Sequence, residues 1–109
     1  MGSPAETLFE SIAAELGIET EMGKAALIEA LHNIQLFDRK QHDYGPHNIS
    51  LWGELGLAVR CTDKVMRLRN LLDVARSPKN ESLLDSWADL ANYGIIGQLV
   101  NKGIWPTIK

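Results

Sequence analysis

The apolar residues of this chain recur with a helical period along almost its whole length, and no segment reads convincingly as a strand. The pattern predicts four helices, over about residues 4–16, 21–42, 50–75 and 81–102. Helix caps are available at Ser3, Thr20 and Asn80, and helix ends at Gly17 and Gly103. We therefore expect a single all-α domain over residues 1–109, an antiparallel bundle of about four helices. We also expect Trp105, in the C-terminal tail, to fold back onto the bundle or onto another subunit.

The overall charge and the single cysteine limit the classes of function. The formal net charge is −3, which gives no support to nucleic-acid binding. Cys61 is the one cysteine, so no internal disulfide can form, which fits a reducing cytoplasm. The sequence shows no secretory signal, and no apolar run approaches the roughly 20 residues that span a bilayer. We expect a cytoplasmic protein whose partners include neither a nucleic acid nor a membrane.

The second and fourth predicted helices are apolar on more sides than a lone small bundle can cover. This pattern favours a homo-oligomer. Because two-fold dimers are the commonest closed assemblies, we expect a dimer.

Glu54 has an unusual position in the third predicted helix. At about 100° per residue, it falls between Cys61 and Val65, on the apolar side of the helix. A buried ionised carboxylate costs several kcal/mol unless a cation or a metal ion faces it. We therefore expect a partner for Glu54 on the neighbouring helix.

The fourth predicted helix carries a stripe of acidic and amide side chains. Glu81, Asp85, Asp89 and Asn92 fall within an arc of about 80°. Like charges four residues apart repel each other, and a divalent cation would turn that repulsion into attraction. Two interpretations remain open, an exposed acidic stripe and a set of carboxylate ligands for Mg²⁺ or Mn²⁺.

The third predicted helix has a basic side formed by Arg60, Lys64 and Arg67, which lie within about 60° of each other, with Asp63 at its edge. Such a side can hold triphosphate oxygens, through the forked guanidinium groups and the lysine charge. It can equally be a solvated face on which Asp63 pairs with Arg67.

Several short motifs together suggest a family. They are Asp43-Tyr44-Gly45, Asn48-Ile49, Gly56, Arg60-x-x-Asp63-Lys64-x-x-Arg67-Leu68 and Glu81-Ser82-x-x-Asp85-x-x-x-Asp89-Leu90-x-Asn92-Tyr93. Over roughly residues 36–105 this combination resembles the nucleotide modification associated domain 1 family, small proteins common in bacteriophages. That family is similar in turn to the MazG-like all-α nucleoside triphosphate pyrophosphohydrolases.

The resemblance implies a metal-dependent enzyme that hydrolyses a (d)NTP to the (d)NMP and pyrophosphate, in phage or mobile-element nucleotide metabolism. It implies Glu54, Asp85 and Asp89 as catalytic residues that hold Mg²⁺ or Mn²⁺. The chain departs from the MazG-like EExxE pattern, because Leu57 and Ala58 stand where a second glutamate would be. Asp63 and Glu81 complete the implied metal ligands.

The resemblance also implies a substrate site. Its implied residues are Lys40, Arg60, Lys64 and Arg67 for the phosphates, Asn92 and Tyr93 for orienting the ligand or sugar, and Tyr44 or Trp52 for stacking on the base. Two other hypotheses stay open. One is a non-catalytic nucleotide-binding module on the same scaffold. The other is a helical interaction protein, in which the acids pair with Arg60, Lys64 and Arg67.

Overall fold

The computed structural model describes residues 3–47, 52–73 and 80–106, with side chains from residue 83 onward in the last range. Its helices are α1 (Pro4–Glu15), α2 (Glu21–Tyr44), α3 (Gly53–Asp73) and α4 (Asn80–Asn101). No strand occurs within these ranges, so the predicted all-α class is confirmed. The predicted start and end of the third helix, near residues 50 and 75, lie outside the described residues.

The chain divides into two compact units, residues 1–36 and residues 37–109, and α2 begins in the first and ends in the second. The single domain over residues 1–109 stays a prediction. None of the described helices is long and apolar enough to cross a membrane.

In unit 1, local hydrogen bonds set the start of both helices. The Ser3 hydroxyl accepts from the Glu6 amide at 3.1 Å, and the Glu6 carboxylate accepts from the Ser3 amide at 3.2 Å. This capping box satisfies two amides that have no partner within α1. Gly17, with φ of 72°, follows the end of α1, and the Thr20 hydroxyl accepts from the Gly23 amide at 2.9 Å to begin α2.

In unit 2, α3 and α4 pack against each other in antiparallel orientation. Glu54, at the start of α3, contacts Asn101, at the end of α4, and Lys64 contacts Asp89 nearer the middle. Between these two contacts, Leu57 packs with Ile96 in the buried core. This pairing fixes which side of α4 faces α3 and therefore positions Asp89.

The residues after α4 close the core of unit 2. Trp105 is 7% exposed and packs with Leu57 and Ile96. Its ring meets Phe37 edge-on, with 5.7 Å between ring centroids, and its indole N–H donates to the Pro46 carbonyl at 3.1 Å. Trp105 therefore folds back onto the helices of its own chain, which is one of the two expected placements.

The side of α3 that packs overlaps the predicted apolar side only in part. Leu57 and Leu68 are buried, with Arg60, Cys61 and Lys64 half-buried on the same side of the helix.

Glu54 is exposed, as are Leu55, Val65 and Leu72, so the expectation that Glu54 lies on a packed apolar side is wrong. Apolar residues occupy most of the circumference of α3, and the helical period alone therefore does not distinguish the packed side.

Candidate functional site

Asp89 on α4 is held by two lysines from two other helices. Its Oδ1 accepts a hydrogen bond from Lys40 Nζ, at the end of α2, at 2.5 Å. Its Oδ2 accepts one from Lys64 Nζ, on α3, at 2.9 Å. The Asp89 side chain is only 16% exposed, whereas Lys40 is 46% and Lys64 27% exposed. One carboxylate thus joins three helices of unit 2.

The two lysines change the acidity of Asp89. Burial by itself raises the pKa of this carboxyl, because it disfavours the charged form. Hydrogen bonds and positive charge from Lys40 and Lys64 outweigh burial and lower the pKa below its ordinary value of 3.8. Asp89 is therefore an anion at neutral pH.

Because of this shift, we expect the difference in free energy of unfolding between the wild type and Asp89→Asn to depend on pH. Because the pKa is lower in the folded protein, ionised Asp89 stabilises the fold above pH 3.8, and this stabilisation is lost as the pH falls through the folded-state pKa. At pH 7 we expect the wild type to be more stable by about 1–2 kcal/mol, a value that allows for solvent screening at half-exposed Lys40. Urea unfolding followed by circular dichroism at several pH values measures the difference.

Asp85→Asn is the matched control, since Asp85 is an exposed aspartate one turn earlier on the same helix. We expect the free energy of unfolding of Asp85→Asn to lie within about 0.5 kcal/mol of the wild-type value. If the difference in free energy of unfolding between the wild type and Asp89→Asn stays constant from pH 7 to pH 3, the lowered pKa of Asp89 is contradicted.

A cleft with a volume of about 180 Å³ lies beside these lysines in unit 2. Its lining residues are Lys40, Gln41, Tyr44, Gly45, Arg60, Tyr93 and Ile96. Lys64 Nζ lies 6.0 Å from the centroid of the Tyr93 ring, which places a third positive charge at the same location. Among these four residues, the three cations Lys40, Arg60 and Lys64 outnumber the one anion, Asp89.

The structure brings together part of the predicted substrate site. Lys40, Tyr44 and Arg60 line the cleft, and Lys64 lies next to it. Arg67 is exposed and is not among the lining residues, although the sequence groups it with Arg60 and Lys64.

Two other predicted contacts also lie elsewhere, since Asn92 is buried and Trp52 is 79% exposed, and neither lines the cleft.

The predicted metal ligands are not brought together. Glu54 accepts from Asn101 Nδ2 at 3.2 and 3.4 Å, and Asn101 lies twelve residues after Asp89 on α4, about 18 Å along the helix axis. Asp63 and Asp85 are exposed. The side chain of Glu81, another predicted ligand, lies outside the described residues.

The described residues do not fit a divalent cation in this arrangement. Among them, no three or more His, Cys, Asp or Glu side chains form a group that could hold a metal ion. Both oxygens of Asp89 already accept from ammonium groups, which would repel a nearby cation. The Mg²⁺ or Mn²⁺ site stays a prediction.

Sequence patterns did not single out Gln41, Gly45 or Ile96 as part of the cleft. These residues reach it because the end of α2 lies beside α3 and α4, and the contacts join positions far apart in the chain, such as Lys40 and Asp89. One of the open hypotheses pairs the acids of the fourth helix with the basic side of the third, and the structure contains one such pair, Lys64 with Asp89.

Comparisons with protein families, curated proteins and solved structures give no match: no family model, no curated protein and no solved structure is significantly similar to this chain. The resemblance to the nucleotide modification associated domain 1 family therefore stays a prediction.

Proposed function

We propose that the cleft of unit 2 binds the phosphate groups of a nucleotide and that the protein is a nucleotide-binding module. The observation that carries this proposal is the convergence of Lys40, Arg60 and Lys64 on one cleft, from the end of α2 and from α3. Ammonium and guanidinium groups are the protein groups best suited to phosphate oxygens.

The size of the cleft supports binding of part of a nucleotide. Pockets that enclose a whole organic ligand usually measure about 300–1,000 Å³, and this cleft is smaller, at about 180 Å³. It has room for phosphate groups, whereas the nucleoside would extend over the rim. Tyr44 is at the rim and 72% exposed, so its ring is available to stack on a base.

Asp89 has a specific role in this proposal. It is an internal anion that neutralises Lys40 and Lys64 before a ligand binds. An incoming phosphate competes with it for the same ammonium groups. Removing the carboxylate charge therefore leaves the lysines more available and strengthens phosphate binding.

The metal-dependent pyrophosphohydrolase is the second candidate. Two observations favour it: Asp89 is ionised at neutral pH, and Asp85 lies one turn away on the same helix. In that enzyme Asp89 is required for turnover, so the two candidates predict opposite results when its charge is removed.

Asp89→Asn separates the two candidates. Calorimetric titration with ATP and dATP, each with and without Mg²⁺, measures affinity, and a pyrophosphate assay on the same samples measures turnover. The binding module predicts several-fold tighter binding by Asp89→Asn without metal, and no pyrophosphate from either protein. The enzyme predicts metal-dependent pyrophosphate release by the wild type that is lost in the variant.

Asp85→Asn again serves as the control. Asp85 is exposed, and Lys40 and Lys64 bond to Asp89 instead, so the binding module predicts no gain in affinity for this variant. An absence of nucleotide binding by both wild type and Asp89→Asn would contradict both candidates. That result would favour the helical interaction protein, in which the pairing of Asp89 with Lys40 and Lys64 is structural.

A further inference from the structure

A second set of apolar side chains on α3 is exposed, on the side opposite the core and along one flank of the helix. Leu55 is 78%, Val59 57%, Val65 48%, Met66 54% and Leu72 59% exposed. A surface helix normally has one apolar stripe, and α3 already uses Leu57 and Leu68 for its own core. We call these five residues, together with the exposed residues between them on the helix surface, the outer face of α3.

The outer face has the spacing of a helix that pairs with another helix. Successive intervals of four and three residues connect Leu55, Val59, Thr62, Met66, Arg69 and Asp73, all of which are exposed. This is the spacing of the two core positions in a coiled-coil heptad. Ala58, Val65 and Leu72 run alongside as a third row, also exposed. The result is the broad stripe typical of a helix facing a bundle core.

The exposed apolar area is large for a surface with no partner. The five large side chains together expose on the order of 500 Å², near the upper end of the largest apolar patch on a typical monomer. A stable dimer commonly buries about 800 Å² per partner. The outer face, with Trp52 beside its first turn and 79% exposed, provides much of that area.

We infer that the outer face of α3 pairs with the same face of a second copy of this chain, in antiparallel orientation about a two-fold axis. The axis passes between Val59 and Thr62. Leu55 of one copy then lies opposite Met66 of the other, and Val59 lies opposite Thr62. Every contact occurs twice, as the symmetry of a two-fold interface requires.

Charge favours a second copy in this orientation. In a parallel pair each residue meets its own counterpart, so Arg69 would face Arg69 and Asp73 would face Asp73 across the seam. In the antiparallel pair these like charges lie at opposite ends of the interface. Arg69 then lies level with Trp52 of the other copy, where a guanidinium group can cover the exposed indole ring.

Two single variants and their combination test both the surface and its orientation. Leu55→Lys and Met66→Glu each place two charges in the seam of the dimer, and we expect each to raise the dimer dissociation constant roughly 100-fold or more. In the double variant, the antiparallel pair brings the introduced lysine of each copy to the introduced glutamate of the other, and dimerisation returns. Within one chain these two positions are eleven residues apart, too far for direct compensation.

Sedimentation equilibrium of the full chain at several concentrations, up to about 100 µM, measures the dissociation constants. The control is Leu84→Lys, which changes an exposed leucine on α4 and should leave the dimer unchanged. Far-UV circular dichroism verifies that every variant stays helical. If either variant does not, Val59→Lys and Thr62→Glu, which lie opposite each other in the antiparallel pair, replace the first two.

The inference is supported if the wild type is dimeric, both single variants are monomeric and the double variant is dimeric again. A monomeric wild type at the highest concentration overturns it and leaves the outer face to another occupant. Dimers in both single variants overturn the choice of surface. Monomers in the single variants and also in the double variant overturn the antiparallel orientation.

Discussion

Replacing Lys64 with methionine should weaken nucleotide binding by the cleft roughly 100-fold, the loss expected for one charge-assisted contact in a half-buried site. Lys64 is 27% exposed, less than Lys40, so its ammonium group interacts with a phosphate through less solvent screening. Methionine keeps the length and apolar stem of the side chain and removes the charge. Calorimetric titration with ATP measures the change in dissociation constant.

The control is Lys102→Met, because Lys102 is exposed just beyond α4 and its removal changes the net charge equally. We expect its effect to be less than about three-fold. Lys64→Arg should restore most of the affinity, since it restores the positive charge. Equal weakening by Lys64→Met and Lys102→Met would contradict the proposed site and indicate a general effect of net charge.

Replacing Trp105 with alanine should lower the free energy of unfolding by about 4 kcal/mol, which is within the range for removing a buried large aromatic side chain. The variant loses the packing of the indole ring with Leu57, Ile96 and Phe37. It also leaves the Pro46 carbonyl without its hydrogen bond from the indole N–H. Urea unfolding measures the change.

Trp87→Ala is the matched control, because Trp87 is 53% exposed on α4. We expect it to cost less than about 1 kcal/mol. If the two tryptophan variants are equally stable, Trp105 does not complete the core as the structure indicates.

The helices were predictable because their signals are local. Ser3, Gly17 and Thr20 perform the predicted capping and ending roles, and each acts within a few residues along the chain. The ends of α2 and α4 lie within two residues of those predicted.

The side on which α3 packs was only partly predictable from its sequence. Its apolar residues point in several directions, and the structure uses Leu57 and Leu68 while leaving Leu55 and Met66 exposed. Tertiary contacts, including those between Leu57, Ile96 and Trp105, determine the rotation of α3 about its own axis. The helical period alone therefore predicts a packed side for Glu54, whereas the actual rotation of α3 leaves it exposed.

The sequence predicted several of the residues at the cleft but only part of their geometry. The basic side of α3 leaves phosphate binding and a solvated face both open, and only the family resemblance implies Lys40 and Tyr44. The partners of Asp89 depend on contacts across 25 and 49 residues of sequence, which no local pattern encodes. The same antiparallel pairing that places Lys64 at Asp89 moves Glu54 toward Asn101 and away from the predicted ligand group.

The hydrogen bond between Trp105 and Pro46 has a consequence for how unit 2 forms. It joins residues 59 positions apart, and the ring contact with Phe37 closes an even longer loop. Loop closure of this length costs entropy before any packing compensates it, so contacts of this kind form late. Trp105 lies only four residues after the end of α4, so it becomes available almost together with that helix. Completion of the core then depends on a residue translated after α4.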